Sequence, residues 1–498
     1  MNKPKLETST FIVSEQQITL DMEMVPFDLW GTKVHVLMLL KNKIIDPTAA
    51  EKCLKALSEI EEEFSRGKFT IDPEKGAQLT LEAKILEKAG DLAYSVHTGR
   101  SRNDQIMVTE LLYLREQMLL ISQEMISLLK SLLELTNKYQ QTIMPGYTHM
   151  QPGKITTVGQ WALSYLNTFL RTSETVKYYL NIYDMNPLGA CESYGTSWSL
   201  DREFTTEYLG FTKVWELPQD VIGSRGFAQL GYLSALSEMC LVTSKIGEDL
   251  ILFNTFEYGI VELGDEVSQR MHPITGSSVM AQKKNPDVLE IIRSTAPQVT
   301  GYWSIVANIL SSLPMGYNRD ARESKEYIHL GLIKTTAVIK TLQKIITTLK
   351  FDEKRMLELA TTNYSLTTDL ADYISQKTKI GYRMIYKIIG QIVEDAIENK
   401  KPLSQISAKQ IAQTAQGFGL DIKLSDKEIL EAINPTTAIS RRSNTGGSSL
   451  ATMQKSIERA RNEIKNHESW IKSKQEKIYK AYNKTDKLVR KTINSKVS

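Results

Sequence analysis

The segment Thr275-Gly-Ser-Ser-Val-Met-Ala-Gln-Lys-Lys-Asn-Pro286 sets two hydroxyls beside a glycine and follows them with two lysines and an amide. A serine is a poor base in water. It acts as one only where cations and backbone N–H groups stabilise its alkoxide and closure excludes water. Lys283 and Lys284 have the charge to supply that field, and equally to hold a substrate carboxylate. The plainer reading of the same residues is a mobile surface loop with solvated lysines.

Three further segments offer partners. Gly146-Tyr-Thr-His-Met-Gln-Pro152 puts His149 beside Thr148 in a proline-bracketed turn. Histidine is the usual proton-transfer group near neutral pH, although a lone histidine is more often structural. His97-Thr-Gly-Arg-Ser-Arg-Asn-Asp-Gln105 gathers Arg100, Ser101, Arg102, Asn103 and Asp104 just ahead of a long helical pattern. Guanidinium forks match carboxylates, and a helix N-terminus attracts anions. The alternative there is a capping turn on Ser101 or Asn103, with Asp104 paired to an arginine. Tyr317-Asn-Arg-Asp-Ala-Arg-Glu-Ser-Lys-Glu326 leads into another helix. Glu323 and Glu326 suit its first turn by the macrodipole alone, which leaves Tyr317, Arg322 and Lys325 as ligand candidates. His35, His272, His329 and His467 lie outside any such constellation and read as structural or exposed.

These segments interrupt a helical background. No proline occurs between Pro73 and Pro145, between Pro218 and Pro273, or between Pro314 and Pro402, and proline breaks helices. Apolar residues recur three to four apart in those windows, as Leu111, Leu112, Met118, Leu119, Met125, Ile126, Leu129, Leu132 and Leu133 do in the first. A second helix is expected from about Gly226 to Leu263, a third from Asp287 to Leu313 and a fourth from Glu323 to Lys350. Helices of roughly 40–50 Å suit a long bundle, and alternating strand-like stretches are nearly absent. The fold class is all-α. Expected regions are an N-terminal helical domain at 1–101, a central helical bundle at 102–352 and a C-terminal helical domain with a basic tail at 353–498. Helices apolar on several faces, as around Ile305, Val306, Ala307, Ile309 and Leu310, predict an oligomer. Ordinary packing within the chain is the other way to cover them.

Composition narrows the class. The 498 residues are 41% hydrophobic and 24% charged, which excludes disordered, collagen-like and disulfide-rich chains. Cys53, Cys191 and Cys240 are too far apart for a CxxC site and too few to pair completely, so they read as reduced thiols in a cytoplasmic protein. The histidines lack zinc-ligand spacing, and no metal is expected. No 18-residue apolar stretch exists and MNKPKLETST has no signal-peptide core, so no membrane partner is expected. The net charge of +3 conceals a basic tail, with 13 Lys/Arg against 5 Asp/Glu from Gln454 to Ser498. RNA or an anionic surface is one use for it. A solvated helix fraying into the terminus is the simpler one, and nucleic acid is not expected as a partner.

HTGRSRNDQ, GYTHMQP and GSSVMAQKKNP, in this order and at these separations, resemble the three signature regions of the argininosuccinate lyase family, within the aspartase/fumarase superfamily. The third is similar to the superfamily's GSSxMPxKxN pattern, with Ala281 at its proline. YNRDARESKE resembles the family's YNKDLQEDKE. NPLGA at 186–190, LDRE at 200–203, TDLADY at 368–373 and SRRSNTGG at 440–447 extend the resemblance over roughly residues 15–460.

The resemblance implies a three-domain helical subunit whose long central helices form a bundle shared by a homotetramer, each active site being built by loops from three subunits. It implies β-elimination from an N-substituted succinate without a cofactor, releasing fumarate and an amine. A base takes the Cβ proton to give a dianionic aci-carboxylate, and an acid protonates the leaving nitrogen. Donors placed on that carboxylate favour the transition state over the ground state. Carried over by motif, Ser277 is the base, and His149 serves the leaving group directly or through water. Lys283 and Asn285 hold the succinyl carboxylates with Arg102, Asn103 and Thr148. Tyr317, Arg322 and Lys325 fall at family ligand positions.

The departures from the family gather on the amine side. Its WGGRF element is missing, and a substrate-contacting serine aligns with Gln17. Its DxH element reads Gly76-Ala-Gln78, losing an acid and a histidine. A substrate-contacting glutamine becomes Arg322, and the GALAG-type stretch becomes Cys191-Glu-Ser-Tyr-Gly195. An acid lost and an arginine gained is the wrong direction for gripping a guanidinium. The chain therefore reads as a lyase that keeps the fumarate-releasing chemistry on a different N-substituted succinate, one with a more anionic amine half. An argininosuccinate lyase that meets arginine through other groups, Glu192 among them, is the alternative. A catalytically silent relative, like the family's lens crystallins, is a third reading, and the presence of both His149 and Ser277 speaks against it.

Overall fold

A computed structural model describes residues 14–495. The opening MNKPKLETST and the last three residues of the basic tail lie outside the described residues.

Helix α1 (Glu15–Lys41) is capped by Ser14, whose side chain accepts from Gln17 N, and α2 (Pro47–Ser65) by Asp46, with Pro47 in the first turn, where proline costs no hydrogen bond. With α3 (Gly76–Ala89) they close an N-terminal core around Leu29, Leu37, Leu54, Leu57, Ile60 and Ile85. The central bundle consists of α4 (Arg102–Lys138), α5 (Val158–Ile182), α6 (Phe227–Asn254), α7 (Asp287–Leu310) and α8 (Ser324–Thr348). Leu112, Leu129, Phe169, Leu236 and Leu332 lie in its core. A third core forms between α9 (Thr367–Thr378), α10 (Tyr382–Glu398) and the short helices that follow, around Leu370, Ile385, Ile388, Ile411 and Ile429. The all-α reading holds; strands among the described residues are two-residue pairs.

Two boundaries differ from the sequence reading. Helix α6 stops at Asn254, well before Leu263, because Val261–Glu262 leaves to pair with Lys350–Phe351 and the Asn254 amide donates to Val261 O at 2.9 Å. The described part of the basic tail, to Ser495, packs outside the C-terminal core. It forms the 45-residue α11 (Leu450–Asn494), whose stripe Met453, Ile457, Ala460, Ile464 and Ile471 enters the central core while Val489 enters the N-terminal one. Apolar residues three to four apart require such a surface to cover them. Acids of the body take its cations: Lys474 bonds Asp184 at 3.0 Å, and Lys484 pairs with Glu207. No helix among the described residues is long and apolar enough to cross a membrane.

Candidate active site

The candidate residues occupy two places. At the start of α4, Ser101 is the N-cap and Asp104 completes a capping box by accepting from Ser101 N at 2.9 Å. The other Asp104 oxygen accepts from Gly189 N at 2.9 Å and Cys191 N at 3.0 Å, stapling the 187–191 turn to the helix. Burial lifts this carboxyl to about 6, against the pull of Arg100 and the three backbone donors. Capping therefore holds for Ser101, while Asp104 serves backbone donors first. Arg102 remains exposed, and Asn103 donates to Glu192 O at 3.1 Å.

Tyr317, Arg322 and Lys325 come to the same end of the bundle. Tyr317 N donates to the buried Ser193 Oγ at 3.2 Å, which ties this loop to the turn that Asp104 holds. Lys325, 4% exposed, pairs with Asp21 of α1, and Arg322 lies 3.6 Å from the same carboxylate. Beside them Arg225 donates to Glu110 Oε1 at 2.8 Å, and Gln229 to Glu110 Oε2 at 3.1 Å. Gln17, aligned with a family serine, donates to Glu323 at 3.0 Å, and Gln78 reaches Asp28 at 3.4 Å. Asp21, Glu110 and Arg225 were not singled out in the sequence. Their signal was there in part: Asp21, Asp28 and Glu110 are acids set inside apolar helical runs, where a charge needs a partner.

The second place is the opposite end. Tyr147–Thr148 pairs with Gln151–Pro152 as a two-residue hairpin, leaving His149 and Met150 at its tip with φ of 54° and 57°. Such turns need left-handed residues and usually recruit glycine or asparagine. Holding a histidine there stores backbone strain of the kind found at functional sites. His149 projects beside a cleft of about 660 Å³ lined also by Gly146, Tyr147, Trp161, Tyr165 and Asp249.

The serine loop lies at this end too. Tyr258 packs on Tyr147 with ring centroids 5.0 Å apart, and Glu262 holds Lys284 at 3.0 Å. Lys284 also reaches Leu263 O and Asp265, so it anchors the loop, whereas Lys283 stays exposed with no ion pair among the described residues. Ser277 Oγ accepts from Val279 N at 3.2 Å and Met280 N at 2.9 Å. Two backbone donors aimed at a hydroxyl oxygen favour its alkoxide, as a serine base requires. Asn285 N bonds Thr275 O at 3.0 Å, closing the loop's neck. Gly276 is obligatory there, since a Cβ would fall 2.5 Å from His272 N and 2.6 Å from Met271 N.

Within one chain the two places cannot meet. Arg102 and Asn103 begin the 37-residue α4, whose far end leads to the hairpin, a span of about 55 Å. Lys325 lies in the first turn of the 25-residue α8, whose far end, about 37 Å away, leads to Lys350–Phe351, the strand that pairs with Val261–Glu262 beside the serine loop. The structure thus brings Arg102, Asn103, Tyr317, Arg322 and Lys325 to one end, and Thr148, His149, Ser277, Lys283 and Asn285 to the other.

Residues 10–301 match a lyase family model, and residues 364–440 match the argininosuccinate lyase C-terminal model. The argininosuccinate lyase of Nostoc sp. is 33% identical over 454 residues, covering 90% of this chain and 94% of its own. That of Methanocaldococcus jannaschii is 32% identical over 467 residues, covering 93% of each. In fold, the chain resembles the crystal structure of EDDS lyase in complex with formate, with a TM-score of 0.86, 23% identity and 99% and 97% of the two chains covered.

Proposed function

The chain belongs to the argininosuccinate lyase family and is a carbon–nitrogen lyase that releases fumarate, and from that premise we propose that its substrate is an N-substituted succinate other than argininosuccinate. One observation carries this reading. The buried carboxylates on the amine side are already engaged: Asp21 by Lys325 and Arg322, Glu110 by Arg225 and Gln229, Asp28 by Gln105, Gln78 and Thr32. None of these three is left to receive a guanidinium, and Arg322 repels one.

In the reaction, the Ser277 alkoxide takes the Cβ proton of the succinyl group. Its electrons move into the adjacent carboxylate, which Lys283 and Asn285 hold with Thr148, Arg102 and Asn103. Collapse of the aci-carboxylate forms the fumarate double bond and expels the nitrogen, which takes a proton on the His149 side. The two N–H donors on Ser277 Oγ and the strained His149 backbone support these roles.

The working unit is a homotetramer whose sites draw loops from three subunits. The separation of the two residue groups by α4 and α8 supports it, as do Leu241, Ile291, Trp303, Ile305 and Ile333, left exposed on the central helices. The unpaired cysteines suit a reducing, cytoplasmic setting.

Glu192 favours a second reading. Its side chain is exposed with no ion pair among the described residues, next to the backbone that Asn103 holds, and it is an acid available to arginine. Following fumarate absorbance with argininosuccinate decides between them. Turnover of roughly 1 s⁻¹ or more makes this an argininosuccinate lyase with an unusual pocket. Absence of turnover, together with loss of fumarate absorbance when fumarate is offered with other amines, is the result this proposal expects.

A further inference from the structure

Two motifs of the resemblance, TDLADY at 368–373 and SRRSNTGG at 440–447, have no part in the chemistry above, yet the fold brings both to the arm that carries His149. That arm is two ladders in line. Ile143–Met144 pairs with Thr156–Thr157 at its base, and Tyr147–Thr148 pairs with Gln151–Pro152 near its tip. Between them Gly153 N donates to Gly146 O at 2.7 Å. An isolated two-stranded arm is marginal in water, so its direction must be fixed from outside.

The C-terminal core supplies that hold. Lys154 and Ile155 are the residues of the returning strand between Gly153 and the base ladder, and both are taken. The Ile155 side chain, 1% exposed, belongs to the core that α9 and α10 build with Leu370 and Ile385. Its carbonyl accepts from Arg442 Nη1, and Arg442 Nη2 donates to both Asp369 oxygens at 3.0 Å. Asp369 is 9% exposed, and an ion pair this sheltered is little screened and keeps the guanidinium aligned. Asp372, on the same α9, holds Lys154 at 3.2 Å. The turn after Arg442 is shaped for the contact: a Cβ on Gly447 would fall 2.1 Å from Arg442 O, so glycine is required where the chain folds back.

Met150, at the tip, stands five residues from Ile155. At about 3.3 Å per residue the tip lies about 17 Å from the Arg442 bond, so a tilt of about 5° at the base swings His149 by about 1.5 Å. A misplacement of about 1 Å costs about 100-fold in rate. We propose that Arg442, aligned by Asp369, is a positioning residue for the leaving-group side of the reaction. It acts through Ile155 O, which sets the direction of the arm and so the place of His149. The inference rests on the elimination proposed above, in which His149 serves the leaving nitrogen, and adds no chemical step to it.

The test measures kcat and KM of the assembled enzyme by fumarate absorbance, with argininosuccinate forward and with fumarate plus arginine, aspartate or ethylenediamine in reverse. Arg442→Ala is expected to lose about 100-fold in kcat. Its KM should change far less, because Lys283, Asn285, Arg102 and Asn103 lie off the arm. Arg442→Lys should recover part of the loss, since an ammonium keeps the charge without the planar spread that reaches Asp369 and Ile155 together. Asp369→Asn should lose about 10-fold, as the pair gives up its charge but keeps an acceptor, and it carries the test if Arg442→Ala does not fold. Ile429→Val thins the same core away from the clamp, so it should lower the melting temperature and leave kcat unchanged, a split that a merely structural role would not give. Trypsin cleavage after Lys154 needs no substrate, and it should quicken in Arg442→Ala and Asp369→Asn but not in Ile429→Val. A kcat within about threefold of wild type in the folded clamp variants, or an equal loss in Ile429→Val, would overturn the inference and leave the lyase reading standing. Unchanged cleavage at Lys154 would overturn it as well. Absence of wild-type turnover with every one of these substrates counts against the elimination reading and takes the positioning role with it, whatever the trypsin cut shows of the clamp.

Discussion

A site assembled from separate subunits has a quantitative signature. Take two variants expected to be inactive, Ser277→Ala, which removes the proposed base, and Asn103→Ala, which removes an amide from the opposite end of α4. Within one chain these residues are separated by helices of about 37–55 Å. Hydrogen-bond reach is about 3 Å, and no loop closure covers the difference. The proposed site therefore takes its serine loop from one subunit and its asparagine from another. In tetramers mixed at random from equal amounts of the variants, half of the serine loops and half of the asparagines are intact. The two draws are independent, so about one quarter of the sites are whole. Co-expressing the variants with different affinity tags, purifying through both and measuring turnover per site should return roughly that share of wild-type activity. Each variant alone should fall about 10²–10⁴-fold. If the mixed tetramers are no more active than their parents, both residues serve the same site from one subunit, and the argument from helix length is wrong.

Three further predictions follow from local geometry. Gly276→Ala should reduce turnover strongly with little change in melting temperature, because the added Cβ meets His272 N at 2.5 Å inside an exposed loop while the helical cores are untouched; steady-state kinetics and calorimetry separate the two. Asp21→Asn should destabilise the fold by about 3–5 kcal/mol, the usual cost of stranding a buried partner, here Lys325 with Arg322 beside it, as read from urea unfolding. Asp104 should show itself in pH dependence. Its folded carboxyl is raised from 3.8 to about 6, so the native state binds the extra proton and this residue's contribution declines as pH rises from about 4 to 6. Relative to wild type, Asp104→Asn should flatten the stability–pH curve in that window; a parallel curve for the variant would refute the assignment.

Much of this protein was legible in its sequence for local reasons. A repeat of three to four residues between distant prolines dictates long helices whatever else the chain does; the helix from Asp287 begins at the residue after its loop segment, while that from Arg102 begins inside the 97–105 segment. Ser101 was legible as one of two candidate N-caps, whereas Asp104, read as an arginine's partner, closes a capping box with it instead. Thr148, His149, Ser277, Lys283 and Asn285 stood out because hydroxyl, imidazole, ammonium and amide groups were concentrated in short breaks between helices.

What the sequence did not contain was distance across the fold. That Lys284 anchors the loop while Lys283 stays free depends on Glu262, Leu263 and Asp265, brought alongside by a strand pair with residues 350–351. The engagement of Asp21 by Lys325 and Arg322 joins residues some 300 positions apart. The basic tail read as a solvated, fraying helix because its composition was weighed without its stripe of Ile457, Ala460, Ile464 and Ile471, which only a groove on the bundle turns into burial. Helical periodicity is a property of neighbours in the chain, and the sequence determined it alone. Charge compensation and the grouping of the candidate residues at the two ends of the bundle are properties of neighbours in space, and only the tertiary structure decided them.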